Sequence, residues 1–330
     1  MLTFSQMGLR NQVKKILTGL TIPQEYVCLE SPDLVSSLSV FLSDEQAVRH
    51  ANVTASHLFL GYKPLIIALP FDTHDTKSQE VRSQSKIVLN FENPDPLKPV
   101  RLSRLVLKKI GEKILEEKLL VFYEGVHGEH SFLNAVHQWV NLQRGKFRRQ
   151  ASNNVALPGN LIDQVRIAYS VPRVISAITV SDGSLMNMFP TDLHGSAGGK
   201  FYAGSLRIGG MANDQVEKFK KIVVAGLEAS YYQQAYALGK NHMRDLQKET
   251  SFALQSSRSE KFNFPLPTGT IHYKELERIN SFDAGIHRIH LYEIIHQRTV
   301  HGDKPTLSHI HQHYAQWRID HRLDTPMLLR

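Results

Sequence analysis

Short apolar runs bounded by turn residues dominate this chain. LVSSLSVFL (34–42) and KPLIIALPF (63–71) hold apolar side chains between Ser, Asp, Gly and Pro, the pattern of a buried strand. KSQEVRSQSKIVLNF (77–91) ends in another strand, and PRVISAITV (172–180), KFYAGSLRI (200–208) and GIHRIHLYEIIHQRTV (285–300) read the same way. SDGS, directly after PRVISAITV, is turn chemistry that suits a hairpin. Helical spacing is rarer. Met7 to Leu20 puts apolar residues on one face and stops near Pro23; RLSRLVLKKIGEKILEEKLL (101–120) spaces apolar and charged residues as a helix does, with Gly111 its weak point. NDQVEKFKKIV (213–223) opens on an N-cap residue, Asn213 or Asp214, and HYAQWRIDHRL (313–323) is helix-like. The tyrosines of GLEASYYQQAYAL (226–238) favour an extended segment. ENPDPLKP (92–99) is a proline-rich connector, and QRGKFRRQASNN (143–154) predicts a linker between an N-terminal α+β domain (1–150) and a second domain (151–330). Many strands, few short helices and no strand-helix alternation predict a mainly β chain with peripheral helices, a barrel or a sandwich.

Two features of the first half recur, in the same order, in the second. SDEQAVRHANVTASH (43–57) and SDGSLMNMFPTDLH (181–194) each carry Ser-Asp followed by Thr-x-x-His. EGVHGEHSFLNAVHQ (124–138) and AGIHRIHLYEIIHQ (284–297) each carry Gly-x-His-x-x-His and a later His-Gln. Chance matches in a chain with 17 histidines are one account; the other is a duplication, with two related β-domains packed as a pseudo-dimer.

At 330 residues the chain can bury one large core or two ordinary ones. A lone cysteine, Cys28, forms no internal disulfide, and the start MLTFSQMGLRNQVKK has no signal-like apolar stretch, so the expected compartment is the cytoplasm. An apolar run such as LIIAL (65–69), which no other in the chain exceeds, is far short of the roughly 20 residues a membrane helix needs. The net charge of +8 is spread along the chain, in short clusters at Lys108–Lys109, Lys146–Arg149 and Lys218–Lys221 that lie far apart in sequence. That distribution argues against a nucleic-acid partner and for an anionic small molecule. No P-loop, Gly-x-Ser-x-Gly or Gly-x-Gly-x-x-Gly is present, which removes support for NTPase, hydrolase and Rossmann chemistry.

Candidate chemistry gathers between 183 and 210. NMFPTDLH (187–194) offers amide, hydroxyl and carboxylate groups beside glycines that let backbone N–H groups approach a ligand closely. Ser205 and Arg207, two apart on a strand, fall on one face and suit a phosphate or carboxylate. These stretches, with YALGKNH (236–242) and DAGIHRIHLYEIIH (283–296), resemble the flavin reductase-like family of FMN-binding split β-barrels over about residues 155–300. The resemblance implies a split barrel, or two tandem related barrels with the first degenerate, binding FMN or FAD and using NAD(P)H as co-substrate. It further implies a flavin site at an interface, made by a homodimer or by an internal pseudo-dimer. Asn187, Pro190, Thr191 and Asp192 match the family's flavin-contacting loop, Ser205, Leu206 and Arg207 the adjacent strand, and His287 the histidine near the ring and the nicotinamide side. GGMANDQ (209–215) stands where relatives carry a Lys/Ser-Thr-rich phosphate-contacting stretch. Flavin carries the hydride chemistry and the protein supplies orientation and electrostatics, with a histidine able to orient substrate or move a proton.

Other classes compete. A non-catalytic flavin- or heme-binding protein could use the same barrel. In SHIHQHY (308–314) a strand would project His309, His311 and His313 to one side for a metal, whereas a helix would splay them; no carboxylate or thiolate lies nearby in sequence, so no metal ligand is assigned. In a strand His287 and His290 face opposite sides, so they are not adjacent ligands.

Overall fold

The computed structural model describes residues 9–31, 38–46, 48–74, 80–81, 83–93, 100–147, 155–323 and 327–328. Helix α1 (Leu9–Thr18) and strand β1 (Tyr26–Ser31) precede a run of strands: β2 (Ser39–Ser43), β3 (Arg49–Asn52), β4 (Leu58–Tyr62), β5 (Leu65–Asp72), β6 (Lys86–Glu92), β7 (Arg101–Leu115) and β8 (Lys118–His130). Helices α2 (Ala135–Phe147) and α3 (Leu161–Ala168) lead to β9 (Arg173–Val174), β10 (Ser176–Ser181), β11 (Met186–Thr191), β12 (His194–Gly198) and β13 (Phe201–Arg207). Then come α4 (Met211–Phe219), β14 (Lys221–Leu227), α5 (Tyr232–Leu238), β15 (Leu254–Arg258), β16 (Pro265–Pro267), β17 (Thr270–Ala284) and β18 (His287–Thr299). β19 (Thr306–His311), α6 (Gln312–Asp320) and β20 (Met327–Leu328) follow. No helix among the described residues is long and apolar enough to cross a membrane.

The fold is mainly β. Two seven-stranded antiparallel sheets run β3-β2-β6-β7-β8-β5-β4 and β11-β10-β14-β17-β18-β13-β12, one strand order used twice; neither order closes into a barrel. Four of the five register shifts in the first sheet recur at the same rungs of the second, the exception being Leu42/Ser43 between β2 and β3. Register shifts at Phe59/Gly61, Phe91/Glu92, Val106/Leu107 and Lys109/Gly111 in the first sheet match those at Ser196/Gly198, Gly226/Leu227, Glu275/Leu276 and Arg278/Asn280 in the second. Each inserts an extra residue and bends its strand, so the two sheets share their curvature as well as their order.

Side-chain alternation divides the packing into three layers. In β5, Leu65, Ile67 and Leu69 enter the first-half core with Phe59, Phe91, Leu105, Val121 and Tyr123, while Ile66 and Ala68 face the other half. That double burial is why LIIAL is apolar throughout rather than alternating. In β13, Tyr202 and Leu206 enter the second-half core with Val216, Val224 and Leu276, whereas Phe201 and Ala203 meet Leu58, Leu60, Ile66, Leu120 and Phe122 across a seam. Each large apolar side chain buried there contributes about 1.5–3 kcal/mol. The ends of the chain tie the halves together: β19 pairs with β1, and α6 places Tyr314 and Trp317 in the first-half core.

Two glycines pack closely in the seam, one against a side chain and one against backbone. A Cβ on Gly195 would lie 2.5 Å from Leu58 Cδ2. Gly285, at φ +62°, would place one 2.2 Å from Pro64 Cδ and 2.3 Å from Lys63 O, beside the Ile286 N–H that donates to Lys63 O at 3.1 Å.

Several sequence expectations are corrected. Residues 101–120 form no helix but most of the β7–β8 hairpin, whose turn puts Glu116 at φ 55°. Of 226–238, only the end of β14 is extended; Ala229–Tyr231 is a 3-10 turn and α5 follows, with Ala235 buried. The N-cap of α4 is Gly210, so Asn213 and Asp214 lie in its first turn. Residues 143–147 of the expected linker belong to α2, and 148–154 lie outside the described residues, as do 34–37 of the first expected strand. The Gly-x-His echo is out of register. Lys118 opens β8 as His287 opens β18, so Tyr123-Glu124 and His127 fall level with Tyr292-Glu293 and His296.

Candidate functional site

At the end of β11 the chain turns through Asp192 into β12, and a buried polar network centres on that carboxylate. Tyr169 OH donates to Asp192 Oδ2 at 3.0 Å, and His309 Nδ1 lies 2.9 Å from the same oxygen. His309 stands in β19 directly across from Cys28 in β1, and its Nε2 is 2.9 Å from Tyr236 OH, which Cys28 Sγ approaches at 3.2 Å. Burial opposes charge on His309, but its contacts with Asp192 and Cys28 outweigh that and hold its pKa up at about 9. Burial likewise works against the Asp192 carboxylate, and the hydrogen bonds from His309 and Tyr169 keep it below the usual range. The pair is therefore an ion pair at neutral pH.

The Thr-x-x-His echo marks matching places, just before β4 and at the start of β12. His57 Nδ1 donates to Val53 O at 2.8 Å, and its Nε2 accepts from Arg173 Nη2 at 2.9 Å; burial and then the Arg173 charge lower its pKa to about 3. His194 Nδ1 meets Tyr202 OH at 2.5 Å, and burial lowers its pKa to about 4.

His287 occupies one end of the seam. Its ring lies 4.4 Å from that of Tyr62, nearly perpendicular, so the first half walls a residue of the second. Neither ring nitrogen has a hydrogen-bond partner although His287 is only 2 % exposed. Burial, and then the Arg207 charge, push its pKa down to about 4, leaving a neutral imidazole with one donor and one acceptor unused. Arg207 pairs with His287 across β13 and β18, is exposed, and makes no ion pair among the described residues.

The remaining predicted residues divide between seam and interior. Ser205 shares the seam-facing side of β13 with Arg207, and its buried Oγ has no hydrogen-bond partner. Leu206 points the other way, into the second-half core. Asn187 is fully buried and its amide is used within the protein, donating to Gln215 Oε1, Asn241 O and Arg244 O and accepting from Met188 N. Pro190 O accepts from His242 Nε2 at 2.8 Å, and Thr191 Oγ1 accepts from Leu193 N. The structure thus brings Asp192, Ser205, Arg207 and His287 to the seam side of the second half and turns Asn187 and Leu206 inward. Sequence reasoning missed Tyr62, Tyr169 and His309 as members of this site.

The other end of the seam is built on the same backbone with different chemistry. Lys118 opens β8 opposite Asp72 in β5, as His287 opens β18 opposite Arg207 in β13. Gly198 and Gly199 lie where Gly61 and Tyr62 do, with Lys118 packed over Gly198. Lys118 pairs with Asp72, and Lys200 with Glu116 at 2.7 Å and Glu293 at 2.9 Å. Both lysine charges at that end are thus taken up by carboxylates of the protein itself.

The alternating histidines of the C-terminal segment divide between two environments, His309 in one and His311 and His313 together in the other. His309 joins Asp192, His311 Nδ1 accepts from the His313 N–H at the start of α6, and His313 is buried 5.7 Å from the His130 ring with Arg166 nearby. Among the described residues no group of three or more His, Cys, Asp or Glu is placed to hold a metal ion.

No family model matches the sequence, and no curated protein does. Solved structures similar to it include the NADH:FAD oxidoreductase SgcE6 of Streptomyces globisporus C-1027, at 14% identity and a TM-score of 0.41 over 49% of this chain and 96% of that one. An FMN-binding protein of Thermus thermophilus matches at 15% identity and 0.39 over 49% and 89%. BorF, the flavin reductase component of a bacterial two-component tryptophan halogenase, matches at 16% and 0.40 over 51% and 97%. The chain is similar to flavin reductases and FMN-binding proteins over about half its length, at low identity.

Proposed function

We propose that this chain is a flavin reductase-like oxidoreductase that transfers hydride between a nicotinamide donor and a flavin, FMN or FAD, held at the seam between two tandem split-barrel halves packed as an internal pseudo-dimer. The halves correspond to residues 1–150 and 151–330, and the repeated strand order with its matching register shifts supports their origin by duplication. The single observation that carries the function is the seam end at His287: a neutral buried imidazole and a buried hydroxyl, both unpartnered, beside an unpaired arginine and a tyrosine wall. Buried polar groups without partners are rare in folded proteins, and here they fit a flat ligand with polar edges and negative charge.

A bound flavin would supply the two-electron chemistry. Arg207 would hold a negative group of the ligand, and Ser205 would give it a hydrogen bond. His287 would donate through one ring nitrogen and accept through the other, orienting substrate or holding a proton at that edge. Asp192, already paired to His309, would fix the loop rather than react. Because the Lys118 end is self-neutralised, one flavin per chain is expected.

Purified protein should take up FMN or FAD with absorbance near 450 nm, to a stoichiometry of one. Arg207→Ala should weaken that binding about tenfold or more, the size of a lost charge-assisted hydrogen bond. Unchanged affinity would remove Arg207 from the site, and failure to bind either flavin would sink the proposal. Flavin-dependent NAD(P)H oxidation separates an enzyme from a flavin-binding protein without catalysis.

A further inference from the structure

A cavity of about 230 Å³ lies against β11, α5, the turn at Gly239–Met243 and the β15–β16 hairpin. None of Tyr62, Ser205, Arg207 and His287 lines it. Met188, Leu227, Ala235, Leu238 and Phe252 give it an apolar floor. Lys240 and Arg244 stand at its mouth, both exposed and neither in an ion pair among the described residues, and no Asp or Glu lines the cavity. Two further lining residues carry buried polar atoms without partners: Gln247 Nε2 and Asn241 Oδ1. Asn241 is 3 % exposed and fixed by its own Nδ2, which donates to Met188 O at 2.8 Å.

Each part constrains the ligand. A buried amide donor without a partner calls for an acceptor, two unpaired cations with no competing carboxylate select a negative one, and the apolar floor selects a hydrocarbon body. The volume is below the range of about 300–1,000 Å³ typical of drug-sized sites, which limits that body to about one ring. We infer that this cavity binds a monocyclic aromatic carboxylate, its ring on Met188 and Phe252 and its carboxylate at Gln247, Lys240 and Arg244. The inference does not depend on the flavin proposal.

Isothermal titration of the full chain with phenylacetate tests it, with phenethylamine and benzyl alcohol as cationic and neutral probes. Phenylacetate should bind one to one and at least tenfold more tightly than either. Lys240→Gln with Arg244→Gln should weaken phenylacetate at least tenfold; only side chains change, so the Arg244 carbonyl still accepts from Asn187 and Gln215. Ala253→Trp, at an exposed rim position, should block entry, and unchanged unfolding midpoints would show both variants folded. Binding should persist in saturating FMN. No binding, equal affinity for the amine, an unaffected double variant, or displacement by FMN would each overturn the inference.

Discussion

Gly285→Ala is the most direct probe of how the halves meet. The added Cβ would sit 2.2 Å from Pro64 Cδ and 2.3 Å from Lys63 O, a ring atom and a backbone atom of the opposite half that cannot swing aside as a side-chain tip would. Holding alanine at φ +62° costs about 1 kcal/mol by itself. Forcing the turn away from Pro64 adds an overpacking cost of roughly 1–3 kcal/mol. The same movement stretches the 3.1 Å bond from Ile286 N to Lys63 O, worth about 1 kcal/mol. The sum is roughly 3–5 kcal/mol. Gly159→Ala is the matched control, because Gly159 has nearly the same φ, +58°, with nothing within 4 Å of an added Cβ, so only the conformational cost of about 1 kcal/mol applies. Guanidinium unfolding followed by circular dichroism would give both values, and hydrogen exchange should show faster opening of β4 and β12 in the Gly285 variant alone. If Gly285→Ala costs no more than Gly159→Ala, the seam does not press the two turns together.

Two further predictions concern pH. The folded pKa of His309 lies above its unfolded value, so its stabilisation is complete below about pH 6.5 and declines as pH rises through about 9, by at most roughly 3 kcal/mol. Urea midpoints at pH 6.5 and 9.5 should differ in the native chain and much less in Asp192→Asn; an equal pH dependence in both would refute the pairing. His57, His194, His287, His311 and His313 are held neutral by burial, so the unfolded chain binds more protons below about pH 6.5 and stability should fall on acidification, by up to about 1.4 kcal/mol per pH unit for each histidine. A flat unfolding free energy between pH 6.5 and 5 would contradict their burial as neutral rings.

The strands that were legible from sequence were those with a simple period or a marked turn. PRVISAITV ends in SDGS, and Asp182 Oδ1 accepts from Ser184 N and Leu185 N, so the turn is fixed by residues whose chemistry is local. The β7–β8 hairpin gave the opposite impression because its distal half leaves the core: Leu105 and Leu107 alternate as a strand should, but Ile110 and Ile114 are 45 % and 65 % exposed, and solvated strands lose their period. Its turn also lacks a signal, since Glu116 rather than glycine takes the positive φ, whereas Gly285 marks the corresponding turn of β17–β18. Around Tyr232 and Tyr236 the tyrosines suggested a strand, but they lie four apart with Ala235 buried beside them, a helical face set by packing rather than propensity. For the candidate site, the features visible in sequence are chain-local: Ser205 and Arg207 two apart on one strand, and the Gly-x-His that places His287 at the start of the next. Tyr62 and His309 reach it from β4 and β19, brought together by tertiary packing that no spacing in the sequence encodes.

On the proposed duplication, the difference between the two ends of the seam follows from joining the halves in one chain. In a dimer of identical subunits every substitution appears at both symmetry-related positions, so a residue selected for ligand binding at one end cannot be traded for stability at the other. A tandem chain lifts that constraint. Level with His287 and Arg207 stand Lys118 and Asp72, and opposite Tyr62 the backbone carries Gly199. One end keeps an unpartnered imidazole and a cation without an ion pair among the described residues, features that stabilise nothing in the folded chain by themselves. The other has become a set of mutually satisfied ion pairs. The Lys118–Asp72 and Lys200–Glu116 pairs are partly exposed and contribute little individually, yet they leave no uncompensated charge to attract an anion. Of the residues compared at the two ends, the unpartnered polar groups, the His287 ring and Ser205 Oγ, lie at the end where a ligand could satisfy them, which is the distribution expected if one end binds and the other is closed.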